Sequence, residues 1–220
     1  MSDHGSSYDR SAARFNGRIG SMAGGMAVAF LATAAAWAAI FFVVTQLAGM
    51  EEPVARLAFA LKCMVIAVLF CFLTGIEAVS HERLQTGAFD PLAGRDSQRL
   101  KINALYLQNT LEQLILFAPG LLGLALYSRN GMEMKAVVAA TAVWIVARAA
   151  FWIGYHLGPQ YRVFGLTGMM QSMLILLYVS ARFGYELGGP SGAAAPIIVF
   201  IVVEALLVVA TRGHMPAGDA

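Results

Sequence analysis

The 220-residue chain is 59% hydrophobic and only 13% charged, with a formal net charge of +2 and a mean hydropathy of +0.68. An ordinary soluble domain carries about 45–50% apolar and roughly 25% charged residues, so too little polar surface is available to enclose a water-soluble core. The charges gather between long apolar runs, the pattern of an integral membrane protein. No Lys/Arg run or basic stripe is present, so a nucleic-acid partner is not expected.

In chain order, a polar N-terminal segment over 1–20 is followed by one transmembrane domain over 21–212. Six apolar spans are expected, near 24–47, 57–79, 104–126, 136–155, 163–182 and 193–211. Each approaches the ~20 residues that cross ~30 Å of hydrocarbon. In lipid the backbone must bond internally, so the spans are expected to be helices and the fold all-α, a polytopic bundle. The first apolar run is too long for a cleaved leader and reads as a retained span. In it, Gly25, Ala29, Ala32 and Ala36 place small residues on one face, suited to close helix contact.

Cys63 and Cys71 lie eight apart in the second run and read as small buried hydrophobes. Arg10, Arg14, Arg18, Arg83, Arg95, Arg99, Lys101, Arg162 and Arg212 fall on one side of the expected topology. Arg56, Arg129, Lys135 and Arg182 fall on the other. The positive-inside rule then puts both termini in the cytoplasm. Pro119 lies inside the third span and is expected to bend it, whereas Gly188, Gly189 and Pro190 precede the last.

Polar groups inside the spans are the candidates for function. Gln108, Asn109, Glu112 and Gln113 occupy one and a half turns of the third span. A carboxylate in hydrocarbon costs several kcal/mol, so Glu112 must face the bundle interior, a wet cleft or a partner. It lies roughly 13 Å in from Asn103, and Arg148 roughly 12 Å in from His156 on the same side. Matched depth suggests that Glu112 and Arg148 meet or share one polar cleft, with Tyr155 two turns beyond and Arg162 at its mouth. From the residues alone three readings stay open: a structural ion pair that sets helix register, a site for an anionic ligand, and a proton or ion path. Glu77 near the end of the second span is expected to be solvated or paired with a loop base, and Glu204 in the last is isolated. The histidines have no metal-ligand spacing, and no metal is expected.

Asn109-Thr110-Leu111-Glu112-Gln113, followed by Arg148-Ala149-Ala150-Phe151-Trp152-Ile153-Gly154-Tyr155 and then Arg162, resembles the MAPEG family (membrane-associated proteins in eicosanoid and glutathione metabolism). The resemblance covers 57–183 and is nearest to bacterial members without an assigned activity. It implies a four-helix membrane core, here with one extra helix at each end, assembled as a homo-oligomer, usually a trimer, in a bacterial inner membrane. Glutathione is implied as co-substrate between subunits near the cytoplasmic face. Asn109 and Glu112 would hold its amide and amine, Arg148 a carboxylate, and Tyr155 would hydrogen-bond within the site. Arg162 resembles the arginine that stabilises the glutathione thiolate, a catalytic role, and a hydrophobic electrophile would enter from the bilayer. The implied activity is that of a glutathione transferase or peroxidase; the alternative is a non-catalytic membrane protein with a buried Glu–Arg network. Against the family pattern, Leu105 stands where many members carry a base, Phe151 where a tyrosine is common, and Gln113 where some have an aromatic residue.

Overall fold

The computed structural model describes residues 4–90, 94–158 and 163–212, with side chains over 24–90, 94–158 and 165–211. Among the described residues the elements are all helical: α1 (His4–Val43), α2 (Pro53–Ala67), a π-helical turn (Val68–Leu73), α3 (Thr74–Thr86), α4 (Gln98–Tyr127), α5 (Lys135–Leu157) and α6 (Val163–Arg212). Five stretches are long and apolar enough to cross a membrane: Gly24–Val43, Pro53–Thr86, Gln98–Tyr127, Lys135–Leu157 and Gly165–Thr211.

Each boundary has a local cause. Pro53 opens α2 in the first turn, where a missing amide hydrogen costs nothing. The helix at Thr86 stops at Gly87, whose φ of 68° is left-handed. Ser97 caps α4: its hydroxyl accepts from Leu100 N at 3.0 Å and donates to Glu82 Oε1 at 2.9 Å. One side chain thus closes α4 and ties it to α3. Helix α4 stays helical through Pro119, where the sequence predicts a bend. The π-helical turn in the second apolar run is the irregularity, and the sequence reading did not anticipate it.

The last element combines two apolar runs. At ~1.5 Å per residue a straight Gly165–Thr211 helix would be ~70 Å long, more than twice the hydrocarbon thickness. Non-helical backbone at Gly188 (φ −146°, ψ 22°) and Gly189 (φ 60°, ψ −145°) breaks it. There the chain turns sharply enough for Gly184 and Gly192 to meet backbone to backbone, and a Cβ on either would overlap the other's carbonyl. The turn falls between the expected fifth and sixth spans. The limb beyond it is half-buried at several positions near the turn and exposed throughout 201–211, Glu204 included.

The core lies where α2, α4 and α5 converge. Cys63, Ala67 and Cys71 pack against Phe117, Leu121, Val137, Ala140 and Trp144; both cysteines are buried free thiols. Phe117 and Trp144 stack with centroids 4.7 Å apart. The first limb of α6 packs on α4 and α5 and completes a four-helix bundle, against which α1 lies along α5 and α6. Of the small residues of α1, Ala29 is fully buried and Gly25 is half-buried, whereas Ala32 and Ala36 stay exposed at the rim of a cleft against α5, so the expected face turns inward only in part.

Candidate functional site

Arg148 is fully buried. Its Nη1 donates to Asn109 Oδ1 at 2.8 Å and its Nη2 to the carbonyl of Gly165 at 2.9 Å. The guanidinium also lies 4.5 Å from the centroid of the Phe151 ring. One side chain therefore joins α4, α5 and the first turn of α6. Such proximity requires glycine at 165, because a Cβ there would overlap Phe151. Gly168 makes the next close approach, where a Cβ would sit 2.8 Å from that of Ala147.

Glu112 is placed elsewhere. Its carboxylate is exposed on the outer face of α4, accepting from Gln108 Nε2 at 3.2 Å. The ion pairs among the described residues are Glu77–His81, Glu82–Arg99 and Glu133–Arg129, so the expected meeting of Glu112 with Arg148 is not formed within the chain. The buried network is an Arg–Asn–carbonyl network, not a Glu–Arg one. The reason is azimuthal: residues i and i+3 on a helix lie about 60° apart, enough to turn Asn109 into the bundle and Glu112 out of it. Arg148 Nε has no hydrogen-bond partner among the described residues, and neither does its charge have a carboxylate there.

Asn109 links the two. Its oxygen faces a donor-only guanidinium, which fixes the amide's orientation and directs the NH2 group away from Arg148. Half-buried Asn109 and exposed Glu112 thus offer a donor and an anionic acceptor one turn apart. Tyr155 is half-buried and meets Phe151 edge-on at 4.9 Å. Arg162 lies outside the described residues. Gln113 is buried, and its oxygen has no hydrogen-bond partner among the described residues.

A supporting layer escaped the sequence reading. Trp152 Nε1 donates to Asn103 Oδ1 at 3.0 Å, and Trp152 stacks on Tyr106 at 5.3 Å. Tyr106 donates its hydroxyl to Cys71 O at 3.2 Å, a carbonyl within the π-helical turn. Two signals were available: Trp and Tyr need a partner for their polar atom when buried, and Asn103 sits two turns before the Asn109–Glu112 pair. Among the described residues no group of His, Cys, Asp or Glu could hold a metal.

Long apolar helices closed around a buried cation define a multi-pass integral membrane protein of the helical-bundle class. The chain belongs to the MAPEG family, whose family model matches residues 57–182. The match takes in the second apolar run through the first limb of α6, and α1 and the last limb lie outside it. No curated protein and no solved structure matches the chain.

Proposed function

We propose that this protein binds glutathione at an interface between copies of itself and activates its thiol toward hydrophobic electrophiles, as a transferase or peroxidase. The observation that carries the reading is the exposed Glu112 within a span of membrane length, with the apolar Leu105, Leu111, Ile115 and Leu116 exposed around it. An ionised carboxylate facing lipid costs several kcal/mol, and Gln108 supplies one hydrogen bond against that cost. A neighbouring subunit would cover the face, and the ammonium of a peptide-like ligand would neutralise the charge. The free amide donor of Asn109 suits the carbonyl of the same ligand.

In this reading Arg148 positions Asn109 and the start of α6 from behind, rather than touching the ligand. Tyr155 hydrogen-bonds at the edge of the site. Arg162 would hold the thiolate, since an adjacent guanidinium favours the ionised sulfur and raises its nucleophilic fraction at neutral pH. The protein needs no nucleophile of its own. The assembly would be a homo-oligomer, a trimer by family likeness, with both termini in the cytoplasm of a bacterial inner membrane.

A second reading, a non-catalytic membrane protein, is favoured by one observation: both hydrogen-bonded arms of Arg148 are satisfied within the chain. Calorimetric titration of detergent-purified protein with glutathione separates the two. Saturable binding that Glu112→Gln and Asn109→Ala weaken, with the oligomer intact by light scattering, supports the first. Absence of heat and of thiolate absorbance in folded oligomer supports the second, and an unchanged conjugation rate in Arg162→Ala removes that residue's role.

A further inference from the structure

The helix outside the family match creates a second site at the other end of the bundle. A cavity of about 400 Å³ opens between α1 and α6, walled by Phe30, Thr33, Trp37, Met170, Leu174 and Tyr178. Its size falls in the ~300–1,000 Å³ range of small-molecule pockets. An adjoining cavity of about 240 Å³ shares Leu124, Ala136 and Tyr178 with it and ends among Arg129, Glu133 and Arg182. The two form one groove, apolar in its depth and charged at its rim. Trp37 and Phe41 stack along the α1 side at 5.5 Å.

The rim is not charge-balanced where it meets the groove. Glu133 is engaged by Arg129, through Nη2 at 2.8 Å, Nε at 2.9 Å and the backbone amide at 2.8 Å. Lys135 is buried with its Nζ 4.9 Å from the Phe41 ring centroid. Glu186 accepts from the Tyr127 hydroxyl at 3.3 Å. Arg182 lies over the Tyr127 ring at 5.2 Å and makes no ion pair among the described residues. Its fork of donors is open to an anion. From Arg182 down to Thr167, at the inner end of the groove, is 15 residues, or ~22 Å. One leaflet contributes about half of the ~30 Å hydrocarbon core, so an acyl chain of that leaflet fits within the groove's length.

We propose that this groove holds one anionic phospholipid, its acyl chain between α1 and α6 and its phosphate on Arg182. The site is independent of the glutathione reading, which uses Asn109, Glu112, Tyr155 and Arg162, none of them lining this groove. Lipid-depleted protein in detergent is titrated with phosphatidylglycerol or phosphatidylcholine carrying brominated acyl chains, and tryptophan quenching is followed. The expected result is quenching that saturates at one phosphatidylglycerol per chain, with a midpoint well below that of phosphatidylcholine. Arg182→Gln, an exposed position, should raise that midpoint about tenfold, the effect of losing a charge-assisted bond. Arg182→Lys should retain a preference for the anionic lipid, and Trp37→Phe should remove the quenching. Equal midpoints for the two lipids, an unchanged midpoint in Arg182→Gln, or quenching that survives in Trp37→Phe would each overturn the proposal. So would competition by glycerol phosphate as effective as that of the intact lipid, since the headgroup alone would then suffice.

Discussion

Arg148 reaches across the α4–α5 interface to Asn109, and the 2.8 Å bond between them sets which way the Asn109 amide points. A group that occupies no accessible surface can thereby decide the chemistry of the outer face. Asn109 cannot present its oxygen outward while the guanidinium holds it, so the outward group is a donor beside the Glu112 acceptor.

Removing that cation should destabilise the bundle. Arg148→Met leaves Asn109 Oδ1 and the Gly165 carbonyl without the guanidinium's donors, at about 1–3 kcal/mol for each group left unsatisfied. Thermal unfolding in detergent should show a lowered midpoint. Arg148→Lys should fall between, because an ammonium cannot span both acceptors in the fork geometry. A wild-type midpoint in Arg148→Met would mean the clamp is not formed.

Gly165 carries a steric prediction. Its missing Cβ is the space into which Phe151 packs, and the nearest atom is the Phe151 Cβ, which cannot swing aside. Gly165→Ala should cost about 1–3 kcal/mol as overpacking. Gly24→Ala, in open space within α1, should be neutral or stabilise by about 0.5–1 kcal/mol through helix propensity. Unfolding midpoints of the two variants, compared side by side, test whether the α5–α6 approach is as close as described.

Tyr106→Phe removes the hydroxyl that caps Cys71 O while keeping the ring stack on Trp152. A loss of about 0.5–1.5 kcal/mol is expected, together with faster amide hydrogen exchange confined to the Val68–Leu73 turn. Uniform exchange changes along the second helical unit would instead point to global loosening.

The loop between α4 and α5 should sense acid. Hydrogen bonds from the Arg129 side chain hold the Glu133 carboxyl below its ordinary value, against an opposing push from partial burial. A carboxyl whose folded pKa is lowered contributes stability that is present above its unfolded pKa and lost as pH falls through the folded one. The difference in unfolding midpoint between wild type and Glu133→Gln should therefore be full at neutral pH, shrink below the usual carboxylate range and vanish in stronger acid. High salt should reduce it at neutral pH, because Arg129 is largely solvent-exposed.

Much of the architecture could be read from the chain before any coordinates. Apolar runs of membrane length set the helical spans, since lipid permits no unbonded backbone. The polar insertions at Asn109 and Arg148 stand out in the sequence itself, whereas of the residues that periodicity put on the small face of α1, Ala29 is buried and Ala32 and Ala36 are exposed. The rise per residue put Glu112 and Arg148 at matched depth, but in the fold it is Asn109 that meets Arg148.

What periodicity does not contain is the rotation of each helix against its neighbours. That rotation is settled by the packing of all faces at once, by Phe117 on Trp144 and by the Gly165 approach to Phe151. It sent Asn109 inward and Glu112 outward, separating a carboxylate and a guanidinium that equal depth had suggested would pair. The π-helical turn and its Tyr106 partner escaped notice for a related reason: a backbone irregularity without proline or glycine at its centre leaves little local mark, and the side chain that answers it comes from another helix. Depth and composition are properties of one segment, whereas azimuth belongs to the assembled bundle.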